Sequence, residues 1–175
     1  MRVGSGRNSP AQFRRPRQAA PGFTLIELLV VVAIILIIAA IAIPNFMRSR
    51  IAANEAASVA ACRKIVTAEV VYASTYGLGY SQTLAQLGPP PGGGPPSAAN
   101  AALLDEIISS GTKHGYNFVY ASADTNGDGV VDTFTLNANP FNPGVSGVRY
   151  FFTDQSGVVR TSTAGPATAS DPPIG

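Results

Sequence analysis

Hydrophobic and polar positions divide the chain into three regimes. Leu28 to Ile43 is sixteen consecutive apolar residues, and the run extends back to Phe23 with Thr24 and Glu27 as its polar positions. As a helix, the twenty-one residues from Phe23 to Ile43 span about 31 Å, the thickness of a bilayer's hydrocarbon layer. The pattern then becomes helical and amphipathic. Ala52, Ala56, Val59, Cys62, Val66, Val70 and Ala73 recur at three- and four-residue steps, which places them on one face. Pro44, between the two regimes, removes one helical hydrogen bond and crowds the preceding turn. A kink is expected there without a stop, because the periodicity resumes. With Gly77 as C-cap, Phe23 to about Tyr76 reads as one long helix.

Beyond it, "PPPGGGPP" at 89–96 is neither helix nor inner strand and reads as a surface loop. Ser97 is placed to cap a short helix from Ala98 to Ser110, with Leu103, Leu104, Ile107 and Ile108 inward. The last third carries four β-rich segments, 116–121, 130–136, 148–153 and 158–161, with turn residues between them. The expected fold is α+β: a long helix, apolar in its first half and amphipathic in its second, packed on a four-stranded antiparallel sheet. The proline-containing tail from Gly165 is expected to be loose.

Charge sharpens the reading of the amino terminus. Residues 1–22 hold Arg2, Arg7, Arg14, Arg15 and Arg17 and no acid, while the remainder carries a net charge of −3. The overall +2 therefore says nothing about nucleic acid. A short arginine-rich head before an apolar run is a targeting pattern held on the cytoplasmic side. Cysteine and histidine occur once each, as Cys62 and His114. That excludes an intrachain disulfide and a zinc site built on either residue type. Cys62 reads as a small buried hydrophobe. Neither a nucleophile–base arrangement nor a phosphate-binding glycine loop is present, so no enzymatic activity is expected.

Glu27 is the residue that composition leaves unexplained, since a carboxylate within hydrocarbon costs a few kcal/mol. The string "GFTLIELLVVVAIILIIAAIAIP", Gly22 to Pro44, closely resembles the amino-terminal segment of type IV prepilins and of the pseudopilins of type II secretion. The resemblance is strongest over Gly22 to Arg50. It implies cleavage between Gly22 and Phe23 by a prepilin peptidase, N-methylation of Phe23, and retention of the apolar helix in the mature subunit. Residues 1–22 are then a removed leader, 23–50 a transmembrane and assembly helix, and 51–175 a globular head. It further implies that Glu27 pairs with the Phe23 ammonium of a neighbouring copy and so fixes register in a homo-oligomeric filament. Such register setting is the best-attested use of a buried polar pair. The subunit would wait as a single-pass protein in the inner membrane, and inner-membrane assembly machinery would move it into an extracellular pilus or a periplasmic pseudopilus. The paired cysteines that staple the C-terminal region of many pilins are absent.

One further stretch carries candidate chemistry. In "DTNGDGVVD", Asp124, Asn126, Asp128 and Asp132 alternate oxygen ligands around glycines, like the opening of a calcium loop. Thr135 stands where such a loop closes with Glu, and the flanks read as strands. Asn126-Gly127 and Asp128-Gly129 are equally strong hairpin signals. A Ca²⁺ site and a plain polar turn both stand as readings. The first gives an alternative of a different class, an exported calcium-binding module that uses the apolar run as an export signal.

Overall fold

A computed structural model describes residues 22–174 of the chain; the arginine-rich head, apart from Gly22, lies outside the described residues. The chain divides into two units between Ala40 and Ile41. Helix α1, Leu25–Tyr76, belongs to both and contains Pro44 without stopping there.

The described part of the first unit is the start of α1. It is apolar on every side, so it has no polar face to turn to water. All fourteen Leu, Ile and Val side chains from Leu25 to Ile43 are exposed. At ~2 kcal/mol for burying each such side chain, the uncovered surface outweighs the 5–15 kcal/mol that stabilises a whole domain. This stretch therefore requires an apolar solvent or packed neighbours.

The second unit is the head. Its sheet is an antiparallel meander in the order β1-β2-β3-β4-β5: Thr112–Lys113, Tyr116–Ala123, Thr133–Pro140, Tyr150–Asp154 and Arg160–Ser162. All four expected strands are present. The sheet nonetheless has five, because Thr112–Lys113 adds a two-residue edge strand on β2. Two residues are too few to leave an alternating pattern. β3 begins three residues later than its β-rich segment, since Val130 to Asp132 complete the preceding turn.

The later part of α1 covers the sheet, but through a different face from the one its aliphatic residues mark. The buried residues are Glu55, Ser58, Ala61, Cys62, Ile65, Ala68, Glu69 and Tyr72. Ala52, Ala56 and Val70 are exposed, and of the aliphatic stripe Cys62 alone is fully buried. Polar residues on the buried face carry the difference, because two glutamates and a serine conceal it from a hydrophobicity pattern. Cys62 and Ile65 meet Tyr116, Phe118, Leu136, Ala138 and Phe151 in the core. Burial pushes the Cys62 thiol up to about 12, which makes it an inert packing residue.

The short helix is also smaller than its sequence suggests. Only α2, Glu106–Ser109, is helical, and its cap is Asp105, whose carboxylate accepts from the Ile108 N–H. Ala102 sits at φ 53°, a left-handed conformation that no helix through 98–110 permits. Leu104 and Ile108 are buried, whereas Ile107 is exposed. Asp105 also meets Lys64 at 3.1 Å and Lys113 at 3.4 Å. The Ile108 bond and then these cations hold its carboxyl down to about 2. The tail is not loose either. Ala167 is buried, and the Ile174 N–H and Thr161 N–H bond to the carbonyls of Val159 and Pro172. Prolines do not donate, but they accept, and the Pro172 carbonyl serves β5.

Gly79 ties the segment after α1 to the turn before β3. The Tyr80 N–H donates to the Val131 carbonyl and the Val131 N–H to Leu78. Gly79 has φ +73°, and a Cβ there would lie 2.0 Å from the Val131 oxygen. Gly92 has a similar φ of +79° with nothing within 4 Å of a Cβ. Gly79→Ala is therefore expected to lower the Tm by roughly 5–10 °C. Gly92→Ala should cost only its backbone strain, and thermal unfolding of the two variants side by side separates clash from strain.

Candidate functional site

The amino-terminal site begins outside the helix. Residues 22–24 have no regular structure, and the first helical N–H bond recorded is from Leu28 to the Thr24 carbonyl at 3.3 Å. The Gly22–Phe23 peptide is therefore not tied into helical hydrogen bonding. A Cβ on Gly22 would meet nothing within 4 Å, and Phe23 is 84 % exposed.

Glu27 has a local partner that the hydrophobic pattern does not reveal. The Thr24 N–H and hydroxyl both donate to Glu27 Oε2, at 2.8 and 2.6 Å. The Glu27 N–H in turn approaches the Thr24 hydroxyl at 3.3 Å. This reciprocal arrangement is a capping box, with Thr24 at N-cap and Glu27 at N3, and it satisfies helix-start donors that would otherwise be orphaned. The signal Thr-x-x-Glu was present in the sequence. Glu27 is therefore not without a partner in the isolated chain. Among the described residues it forms no ion pair, and its Oε1 accepts no hydrogen bond, which leaves one oxygen of the carboxylate available to an incoming donor.

The four residues of the candidate calcium loop do fall in one turn, between β2 and β3. Their oxygens are turned to backbone and side-chain donors of the turn itself. Asp124 accepts from the N–H groups of Gly127 and Gly129 at 2.7 and 2.8 Å. Asn126 and Asp128 bond to each other, and Asp128 also accepts from Val130. Asp132 accepts from the Thr125 N–H at 3.0 Å and from its hydroxyl. Among the described residues no group of three or more His, Cys, Asp or Glu side chains is arranged to hold a metal ion. The geometry is that of a hydrogen-bonded turn whose carboxylates substitute for backbone acceptors.

Two buried carboxylates of α1 were missed in the sequence, and they join the helix to the head. Glu55 accepts from the N–H groups of Val148 and Arg149 at 2.8 and 3.0 Å and from the Arg149 guanidinium at 2.7 Å. Burial acts against its charge, but these bonds outweigh it and hold the carboxyl below its usual range. Glu69 is fully buried, with the Ser81 N–H at 2.8 Å and the Ser81 hydroxyl at 2.6 Å. The Tyr120 hydroxyl donates to the Ser81 carbonyl at 2.7 Å. Among the described residues no cation pairs with Glu69, and burial dominates and raises its carboxyl. The two lie fourteen residues apart, close to four helical turns, and so share one face.

The family described as prokaryotic N-terminal methylation motif matches residues 17–43. The chain is also similar to the type IV wide pilus major component PilA4 of Thermus thermophilus, with 47% identity over 53 residues. That alignment covers 30% of this chain and 40% of the relative, so the chain spans less than half the length of the curated relative it matches. No solved structure matches the chain.

Proposed function

We propose that this chain is a structural subunit of a type IV pilus, cut between Gly22 and Phe23, N-methylated on Phe23 and polymerised through α1. The observation that carries the proposal is the uncovered apolar surface from Leu25 to Ile43, attached to a head that has its own closed core. A cleaved export signal would not need to continue as a helix into the head. The methylation motif and the pilin relative support the same reading, and the relative's name favours a surface pilus over a short secretion pseudopilus.

Each feature has a physical role in this account. Before assembly, the bilayer covers the apolar run. In the filament, the apolar surfaces of other copies replace lipid. Because leaving lipid is strongly uphill, extraction must be coupled to inner-membrane machinery. Cleavage creates an ammonium at Phe23, and methylation keeps its charge. A carboxylate inside a bundle needs a cation, and the Phe23 amine of a neighbour meets Glu27 through the oxygen that Thr24 leaves open. The head's hydrogen-bonded glutamates keep α1 and the sheet together as the subunit moves.

Gly22→Leu tests the first step. The added side chain has room in this chain but would crowd the peptidase at the bond to be cut, so the protein should remain at precursor mass and sheared cell-surface material should contain no filaments built from it. Mature-sized protein from this variant would refute the proposed cleavage site.

A further inference from the structure

The part of the head around Arg50 carries a surface to which the proposed function assigns no role. The Asn54 side chain donates to the Ser146 carbonyl at 2.9 Å, which holds the loop 141–147 over the turn of α1 that contains Arg50. The Phe141 N–H donates to the Gly115 carbonyl at 2.9 Å, which brings the β1–β2 turn to the same place. A concavity of about 670 Å³ lies between them, lined by Arg50, Asn54, His114, Phe141, Val145 and Ser146 among others. Its rim is both basic and apolar. Arg50 and His114 are exposed, as are Phe141 and Val145 at 55 and 57 %, and Phe46, one helical turn before Arg50 on the same side of α1, is 69 % exposed. Neither 41–54 nor 139–148 contains an acid. The nearest carboxylate along α1, Glu55, is buried and bonded to Val148 and Arg149.

Depth selects the partner. The apolar run ends at Ile43, and the helical rise puts Arg50 about 10 Å further along α1. The polar headgroup layer is ~5–8 Å thick on each side of the hydrocarbon. Long arginine side chains reach back over such a distance, and aromatic residues favour this interface. We infer that the face made by Arg50, His114, Phe141 and Val145 docks on the anionic phospholipid headgroups of the bilayer that holds the apolar run. This rests on the reading of that run as membrane-embedded. The docked head is held close to the membrane until the subunit is drawn out, and extraction then breaks a headgroup contact as well as the helix–lipid contact.

The chain contains no tryptophan, so one introduced indole reports on its own position. Phe141→Trp places it on the proposed face. Val130→Trp places it in the turn before the eight-residue β3, whose length separates it from position 141 by roughly 25 Å. The full chain would be reconstituted in vesicles of phosphatidylcholine alone or with added phosphatidylglycerol. The readouts are quenching by lipids brominated near the headgroup and flotation after an alkaline wash. The inference predicts stronger quenching at position 141 in anionic vesicles, none at 130, and loss of most of the lipid-charge effect in Arg50→Glu. Each basic residue should shift the docked population roughly fivefold. Quenching at 141 that ignores lipid charge in a chain that still floats with the vesicles would overturn the docking alone. Shielding of the indole that follows protein density instead of lipid charge would assign the face to a second copy and also overturn it. A chain that does not float would overturn the membrane reading together with the docking.

Discussion

Glu27→Gln is expected to abolish or sharply reduce filaments while leaving the start of α1 folded. Glutamine at N3 still accepts the Thr24 bonds, so the capping box survives. What disappears is the negative charge that a neighbour's Phe23 ammonium requires, and an ammonium left without its partner inside a packed bundle costs several kcal/mol. Thr24→Ala does the reverse: it removes the cap, at about 1 kcal/mol, and keeps the charge. Counting filaments in sheared fractions from both variants, with cleavage followed by mass, separates the two roles of one carboxylate. Normal filaments from Glu27→Gln with poor ones from Thr24→Ala would make Glu27 a capping residue and remove the register argument.

Glu55→Ala is expected to be the most destabilising change in the head among those considered. It strips an acceptor from two backbone N–H groups and one guanidinium at once. Bonds to a charged group contribute about 1.5–3 kcal/mol each where buried, and Arg149 remains partly solvated, so a loss of about 3 kcal/mol is expected. The pH dependence has opposite signs at the two glutamates. Glu55 has a lowered carboxyl, so its contribution is complete above the ordinary value of 4.5 and is lost as pH falls through its folded value. Glu69 has a raised carboxyl, so the folded head binds more protons than the unfolded chain in the window above 4.5, and stability falls as pH rises through it. Urea unfolding of the full chain in detergent across pH should therefore show Glu55→Gln weakening the head chiefly above 4.5 and flattening the acid limb. Glu69→Gln should remove the loss on the other side with little cost at its centre. The same response from both variants would contradict the assignment of their environments.

The contrast between the two ends of α1 explains what was legible in the sequence. From Leu25 to Ile43 the helix is apolar on every side, so composition alone identifies the element. From Ile51 to Tyr76 the helix faces a sheet that is not local in sequence, and its contact is partly polar. Glu55, Ser58 and Glu69 look like solvent positions, and their partners at Ser81, Val148 and Arg149 are visible only once the chain has folded. The aliphatic stripe therefore lies partly off the contact face, with Cys62 in the core and Ala52, Ala56 and Val70 in solvent. Strands β2 to β5 were readable because alternation and turn residues are local signals. β1, the brevity of α2 and the pinned tail were not, since each depends on a partner strand, a left-handed Ala102 or a carbonyl supplied by Pro172. At the candidate site, Thr24-x-x-Glu27 was a readable cap hidden by the more conspicuous apolar run. The Asp124–Asp132 spacing showed the turn correctly, but not where its oxygens point.

Intact mass with amino-terminal sequencing of protein sheared from the cell surface tests the central claim most directly. The account predicts a chain that starts at Phe23, carries one methyl group on its amine and retains the entire apolar helix. A chain that starts near Ile43, or an uncut chain confined to the membrane fraction, would contradict it.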